Sequence, residues 1–218
     1  MKKFLSGVGA ASMLLLAHLS YAQTFNGKTK LEKQEFDSVM VNGSLDFKEV
    51  KITTLKVNGE TEGKDSTFGS VNVNGEFEAK DCSADTLTIN GATDIKGCTI
   101  KGAATLNGRL EARGTTIGSL SISSEKMLLD DCVIEGDILV RAKQGATGAV
   151  GWMTRASNWI GSWFGGGDKV AEDVKAELLQ LRGTTEVRGS ITFESGVGII
   201  EKGSQATIGG KVTGASLK

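Results

Sequence analysis

Asn-Gly recurs at Asn42-Gly43, Asn58-Gly59, Asn74-Gly75, Asn90-Gly91 and Asn107-Gly108, at spacings of 16, 16, 16 and 17 residues. A fixed period of this length is the signature of stacked structural repeats, and it constrains the fold before any local propensity is considered. Cut at that period, the chain aligns as FDSVMVNGSLDFKEVK from Phe36, ITTLKVNGETEGKDST from Ile52, FGSVNVNGEFEAKDCS from Phe68 and ADTLTINGATDIKGCT from Ala84. A seventeen-residue version follows from Ile100 and a weaker one from Ile117.

The columns of this alignment are chemically uniform. Position 1 holds Phe36, Ile52, Phe68, Ala84, Ile100 and Ile117, and position 6 holds Val41, Val57, Val73, Ile89, Leu106 and Ile122. Position 4 is apolar as well, and positions 10 and 12 are apolar or small. Near position 15 stand Val50, Ser66, Cys82, Cys98, Thr115 and Cys132. Alternation at 4 and 6, and again at 10 and 12, is the period-2 pattern of strands with one face inward. The expected rung has three short strands and three turns, and each rung stacks on the next at ~4.8 Å. The fold predicted is an all-β, single-stranded parallel β-helix of about nine rungs, a rod on the order of 40–45 Å long. Gly at position 8 marks a turn where a Cβ would crowd the stack or φ must be positive. Asn before it tolerates such turns and can form a side-chain ladder along the rod. The chain has 30 Gly and 0 Pro; Pro would delete an N–H that an interior rung needs on its neighbour. The rival is an antiparallel meander, because Asn-Gly between alternating residues is also a hairpin signal. The inward residues at positions 1 and 15, which a plain linker between hairpins would not need, favour the helix.

Two segments depart from the pattern. Residues 1–22 carry Lys2 and Lys3, an apolar stretch from Ala10 to Leu19, and Ser20-Tyr21-Ala22 with small residues at the −3 and −1 positions. This reads as a secretory signal peptide cut after Ala22, its apolar run being short for a membrane anchor. Residues 23–143 form the first part of the solenoid, 144–178 a Gly/Trp-rich insertion, and 179–218 the last rungs. In the insertion, Trp152, Trp159 and Trp163 recur at helical spacing, followed by Phe164. A second amphipathic helix is expected from Asp168, with Val170, Val174, Leu178 and Leu181 on one stripe. Trp152, Trp159, Trp163 and Phe164 form a candidate interaction surface for a partner or a membrane surface; the alternative is a cap over an open solenoid end.

The chemistry implied is sparse. With 25 Lys+Arg against 26 Asp+Glu, no basic excess exists to neutralise nucleic-acid phosphates. Removal of the signal peptide takes Lys2, Lys3 and the one His18, so the mature chain has no imidazole for triads or zinc. No cofactor or metal site is expected. Asp130-Asp131 and Glu172 with Asp173 are the carboxylate pairs, and Asp81 with Asp85 is a weak cation candidate. The acidic residues read as solvent-face positions mixed with Lys, with no acidic column stacked over several rungs, so an enzyme on glycans is disfavoured. Cys82 and Cys98 lie one repeat apart in an inward column, which admits a disulfide in an oxidising compartment or a stack of buried reduced thiols.

The pattern from Phe36 to Val133, an alternating triplet before a turn Gly in every rung, resembles bactofilin-like polymer-forming domains and the β-helical adhesin-type domains of bacteria. The resemblance implies a right-handed β-helix that associates end to end, with no nucleotide and no catalytic site. The signal peptide and the Trp-rich insertion depart from that plan. The function expected is an exported, non-enzymatic structural or protein-interaction module of the cell envelope, periplasmic, outer-membrane-associated or extracellular. Its partners would be itself or another envelope protein, and the alternative is a secreted carbohydrate-binding or adhesive protein.

Overall fold

A computed structural model describes residues 19–142 and 176–218. The core of the signal segment and the Trp stripe, with Trp152, Trp159, Trp163 and Phe164, lie outside the described residues. Eighteen strands form one continuous sheet wound into a parallel β-solenoid of about ten turns. Every strand pairing is parallel, which excludes the antiparallel meander.

The first five turns carry β1 (Leu19–Glu32), β2 (Glu35–Lys48), β3 (Lys51–Lys64), β4 (Thr67–Lys80) and β5 (Ser83–Lys96). Each is a single strand of 14 residues, not three short ones. The chain turns inside the strand at the Gly column without losing its ladder. Gly43, Gly59, Gly75 and Gly91 have φ of 139–145°. A Cβ on Gly59 would lie 2.0 Å from the Gly43 carbonyl oxygen, and one on Gly75 2.2 Å from that of Gly59. Only glycine lets one turn approach the next so closely there.

The strands break at one corner, position 14 of the repeat. Lys33, Glu49, Asp65, Asp81 and Asp131 have φ of 52–54°, and Gly97, Gly114 and Gly183 take the same left-handed conformation. Five side-chain-bearing residues accept a conformation that costs roughly 1–2 kcal/mol, because the corner must be made once per turn.

Register follows the period: Asn42, Asn58, Asn74, Asn90 and Asn107 are consecutive Cα partners. β1 adds a turn ahead of Phe36, with Asn26 paired to Asn42 and Gly27 to Gly43. The side chains at positions 1, 4, 6, 10, 12 and 15 point inward and form one core. Large and small residues interlock along it. Gly63 leaves room for Phe47, whose ring a Cβ at Gly63 would meet at 2.5 Å. Phe47 in turn meets Phe68 edge to face at 5.2 Å between centroids.

The insertion does not disturb the stack. β8 (Thr116–Ser123) and β9 (Lys126–Asp130) pair with β11 (Ile138–Val140) and β12 (Leu178–Arg182), respectively. The insertion therefore replaces the position-7/8 turn of one rung, and the rung resumes in register. Leu178 and Leu181, expected on a helical stripe, lie in β12. Strand alternation wins there because Leu179 and Leu181 fill core columns and are fully buried. The last turns run through β13 (Glu186–Val187), β14 (Ile191–Phe193) and β15 (Gly198–Lys202) to β16 (Thr207–Ile208), β17 (Val212–Thr213) and β18 (Ala215–Leu217).

Candidate interaction surface

The position-15 column is a brace for the corner. Ser66 Oγ donates to the Lys64 carbonyl at 2.7 Å and accepts the Val50 N–H of the preceding turn at 3.0 Å. Thr115 does the same with the Arg113 carbonyl and the Cys98 N–H, and Thr185 with the Arg182 carbonyl and the Cys132 N–H. Cys82 and Cys132 fill the donor role with sulfur, at 3.2 Å to the Lys80 carbonyl and 3.3 Å to that of Asp130. Cys82, Cys98 and Cys132 are all buried free thiols. A hydrogen bond to Cys98 and burial push the Cys82 thiol far up; the same contact lowers Cys98. Burial pushes Cys132 up. Cys82 and Cys132 are therefore packing and bracing groups, poor nucleophiles at neutral pH.

The Asn-Gly pairs form the expected side-chain ladder. Asn90 donates to Asn74, Asn74 to Asn58, Asn58 to Asn42 and Asn42 to Asn26, at 2.9–3.1 Å. The ladder edges a nearly uncharged outer face. Position 3 carries Ser38, Thr54, Ser70 and Thr86, and position 5 carries Met40, Lys56, Asn72, Thr88 and Thr105.

The face beyond the Gly column is the opposite in character. Asp46, Glu62, Glu78, Asp94 and Glu111 are consecutive partners at position 11, and Lys48, Lys64, Lys80, Lys96 and Arg113 at position 13. This corrects the expectation that no acidic column is stacked. Acid and base alternate along the sequence, and only the sixteen-residue winding sorts them into separate rows. Lys48 and Lys80 lean to the corner, pairing with Glu49 at 3.3 Å and Asp81 at 3.8 Å. Glu62, Glu78, Lys64 and Lys96 make no ion pair among the described residues.

The other carboxylates have local partners. Asp131 accepts the Thr184 N–H at 2.8 Å and the Thr184 hydroxyl at 3.0 Å, which holds its pKa below the ordinary value. Asp85 pairs with Lys101 at 3.1 Å rather than joining Asp81. Glu172 and Asp173 lie outside the described residues. Among the described residues no cluster of three or more His, Cys, Asp or Glu is placed to hold a metal ion, and no helix is long and apolar enough to cross a membrane.

Among the described residues, nothing covers the two ends of the rod. β1 pairs only with β2, and β16, β17 and β18 pair only with β13, β14 and β15, so each terminal turn has an edge without a strand partner among the described residues. Phe25 at the first turn, and Ile208, Val212 and Ala215 at the last, are partly buried extensions of the core; Leu217 is 55% exposed. The parallel solenoid is compatible with bactofilin-like and adhesin-type β-helices and is specific to neither. No protein-family model matches the chain, and no curated protein or solved structure matches it significantly.

Proposed function

We propose that the chain is an exported, non-enzymatic structural module of the cell envelope that stacks end to end. The open terminal turns carry this reading: a parallel solenoid whose edges are unpaired offers a template that another copy of itself satisfies. The columns also fit. Phe25 occupies position 6 of the first turn, over Val41, and Gly214 occupies that column at the last turn, beyond Phe193. A ring from one copy would settle over a glycine of the next, as Phe47 does beside Gly63 within the rod. Export rests on the signal-like residues 1–22, and cleavage after Ala22 leaves Phe25 in place. Electron microscopy of residues 23–218 over a concentration series tests the reading. Filaments, lost in a Phe25→Asp variant, are the expected result; discrete short particles at every concentration would overturn it.

A secreted glycan-binding role is favoured by one observation, the nearly uncharged face at positions 3, 5 and 7, mostly Ser, Thr and Asn. Neutral hydroxyl and amide donors in rows suit a neutral polysaccharide. Binding on a glycan array that Ser70→Lys with Thr86→Lys abolishes would support it, and an array without binding would exclude it for the glycans displayed.

A further inference from the structure

We propose that the charged face is a self-association surface on which two copies of this chain pair side by side and parallel. In this pairing the carboxylate column of each faces the cationic column of the other.

The argument begins with a cost. Like charges directly opposite on neighbouring strands are destabilising, yet four successive steps set acid on acid at position 11 and base on base at position 13. Reversing the order in alternate turns would remove the repulsion within one chain. The molecule does this once, at the first turn, where Lys30 and Glu32 stand beneath Asp46 and Lys48.

Symmetry explains both the rule and its exception. Two identical faces related by a two-fold axis between them pair in one of two ways. With the axis across the rods, each column meets its own copy, so Asp46 would meet Glu111 and Lys48 would meet Arg113. With the axis along the rods, the column order inverts and position 11 meets position 13. Six turns then present opposite charges in register: Lys30 to Glu32, Asp46 to Lys48, and so on to Glu111 with Arg113. A slip of one turn would set Lys30 against Lys48 and Glu32 against Asp46, so the reversed first turn fixes the register by repulsion. Glu62, Glu78, Lys64 and Lys96 lack ion pairs among the described residues and are the groups such a partner would neutralise. Glu49 and Asp81, at the corner, border this face and pair with Lys48 and Lys80 of its cationic column.

The face measures roughly 30 Å by 13 Å at strand spacing, about half the ~800 Å² per partner of a stable complex. The pairing is therefore weak and salt-dependent. It is also independent of end-to-end stacking, because it uses a side face and gives a closed dimer instead of an open chain.

Sedimentation of the purified chain distinguishes the two. In the Phe25→Asp background, which removes end-to-end stacking, the expected result at low ionic strength is a monomer–dimer equilibrium that weakens about tenfold or more at high salt. Lys64→Glu/Lys80→Glu/Lys96→Glu and Glu62→Lys/Glu78→Lys/Asp94→Lys should each be folded by circular dichroism and monomeric alone. Mixed, they should associate. Orientation is read by cross-linking: Asp46→Cys mixed with Lys48→Cys should give a covalent heterodimer, and Asp46→Cys mixed with Glu111→Cys should not. A parent monomeric at low salt, reversal variants that dimerise as the parent does, or cross-linking of positions 46 and 111 would each overturn the proposal. Filaments without lateral pairs would overturn it while leaving end-to-end stacking intact.

Discussion

The turns before the insertion and those after it enclose the same core but are held by different devices. Up to Lys96, strands of 14 residues run through an unbroken Gly column, and an Asn ladder ties five turns together. From Thr99 the strands shorten, to 2–5 residues after the insertion, and carboxylates reach across it to backbone N–H groups instead. Asp131 takes the Thr184 N–H at 2.8 Å and Asp137 the Ser190 N–H at 2.7 Å, each 53 residues on. Leu179, Leu181, Val187, Ile191 and Ile200 still stack, all fully buried. The inward columns are thus the fixed requirement of the solenoid, and the turn chemistry is interchangeable.

Glycine substitutions should separate the two regions most sharply. At Gly75 a Cβ meets backbone at 2.2 Å that cannot move aside, and φ is positive. Gly75→Ala should cost about 3 kcal/mol or more, from overpacking together with backbone strain. At Gly196 φ is also positive, but no atom lies within 4 Å of the new Cβ. Gly196→Ala should cost about 1 kcal/mol. Urea midpoints of the two variants test this, and equal losses would refute the close-approach account of the Gly column.

One substitution should have opposite signs in the two regions. Thr61 is 2% exposed and its hydroxyl has no partner, so Thr61→Val should stabilise by about 1 kcal/mol. Thr185 is fully buried, donates to the Arg182 carbonyl at 2.6 Å and accepts the Cys132 N–H at 3.2 Å. Thr185→Val should cost about 2 kcal/mol, because the buried Cys132 N–H loses its acceptor. Thermal melting of both variants reads the signs directly.

What could be read from the sequence divides along physical lines. The core columns and the Asn ladder were legible because burial acts at every second residue and the period repeats without error from Phe36 to Ile100. The first turn was not, because Gln23 stands where Val39, Leu55, Val71 and Leu87 mark position 4 in later turns. The left-handed corner was hidden because Lys33, Glu49, Asp65, Asp81 and Asp131 are charged residues like those at the solvent positions of the strands. The position-15 column read as core filler. Its bracing role becomes visible only when Ser66, Cys82 and Thr115 are seen bonding the carbonyl two residues back, and Thr185 the one three residues back. Leu178 fell on a helical stripe by coincidence of spacing. The charge columns required register, which no local window contains.

The ladder itself gives a smaller effect. Asn58 donates to Asn42 and accepts from Asn74 at exposed positions. Asn58→Ala should cost about 1 kcal/mol, because water re-satisfies the amides left behind. Ser123 occupies the same column next to Asn107, beyond the bonded run, and Ser123→Ala should change stability by less than about 0.5 kcal/mol. A loss at Ser123 equal to that at Asn58 would show that the column's backbone, not its amides, sets the stability.

The smallest expected effect is a pH dependence confined to the later region. Asp131 sits at the left-handed corner, fully exposed, and its bonds from Thr184 lower its pKa from the ordinary 3.8. A carboxylate with a depressed folded pKa adds stability above its unfolded value and loses it as pH falls through the folded one. Asn keeps the shape and tolerates the backbone conformation but cannot carry the charge. The stability difference between the parent and Asp131→Asn should therefore be constant at neutral pH and shrink only below about 4. Denaturation curves over that range check it. A difference that persists unchanged into acid would mean that the Thr184 contact works as a neutral hydrogen bond. The turn across the insertion would then be held by neutral hydrogen bonds, as the Asn ladder holds the turns before it.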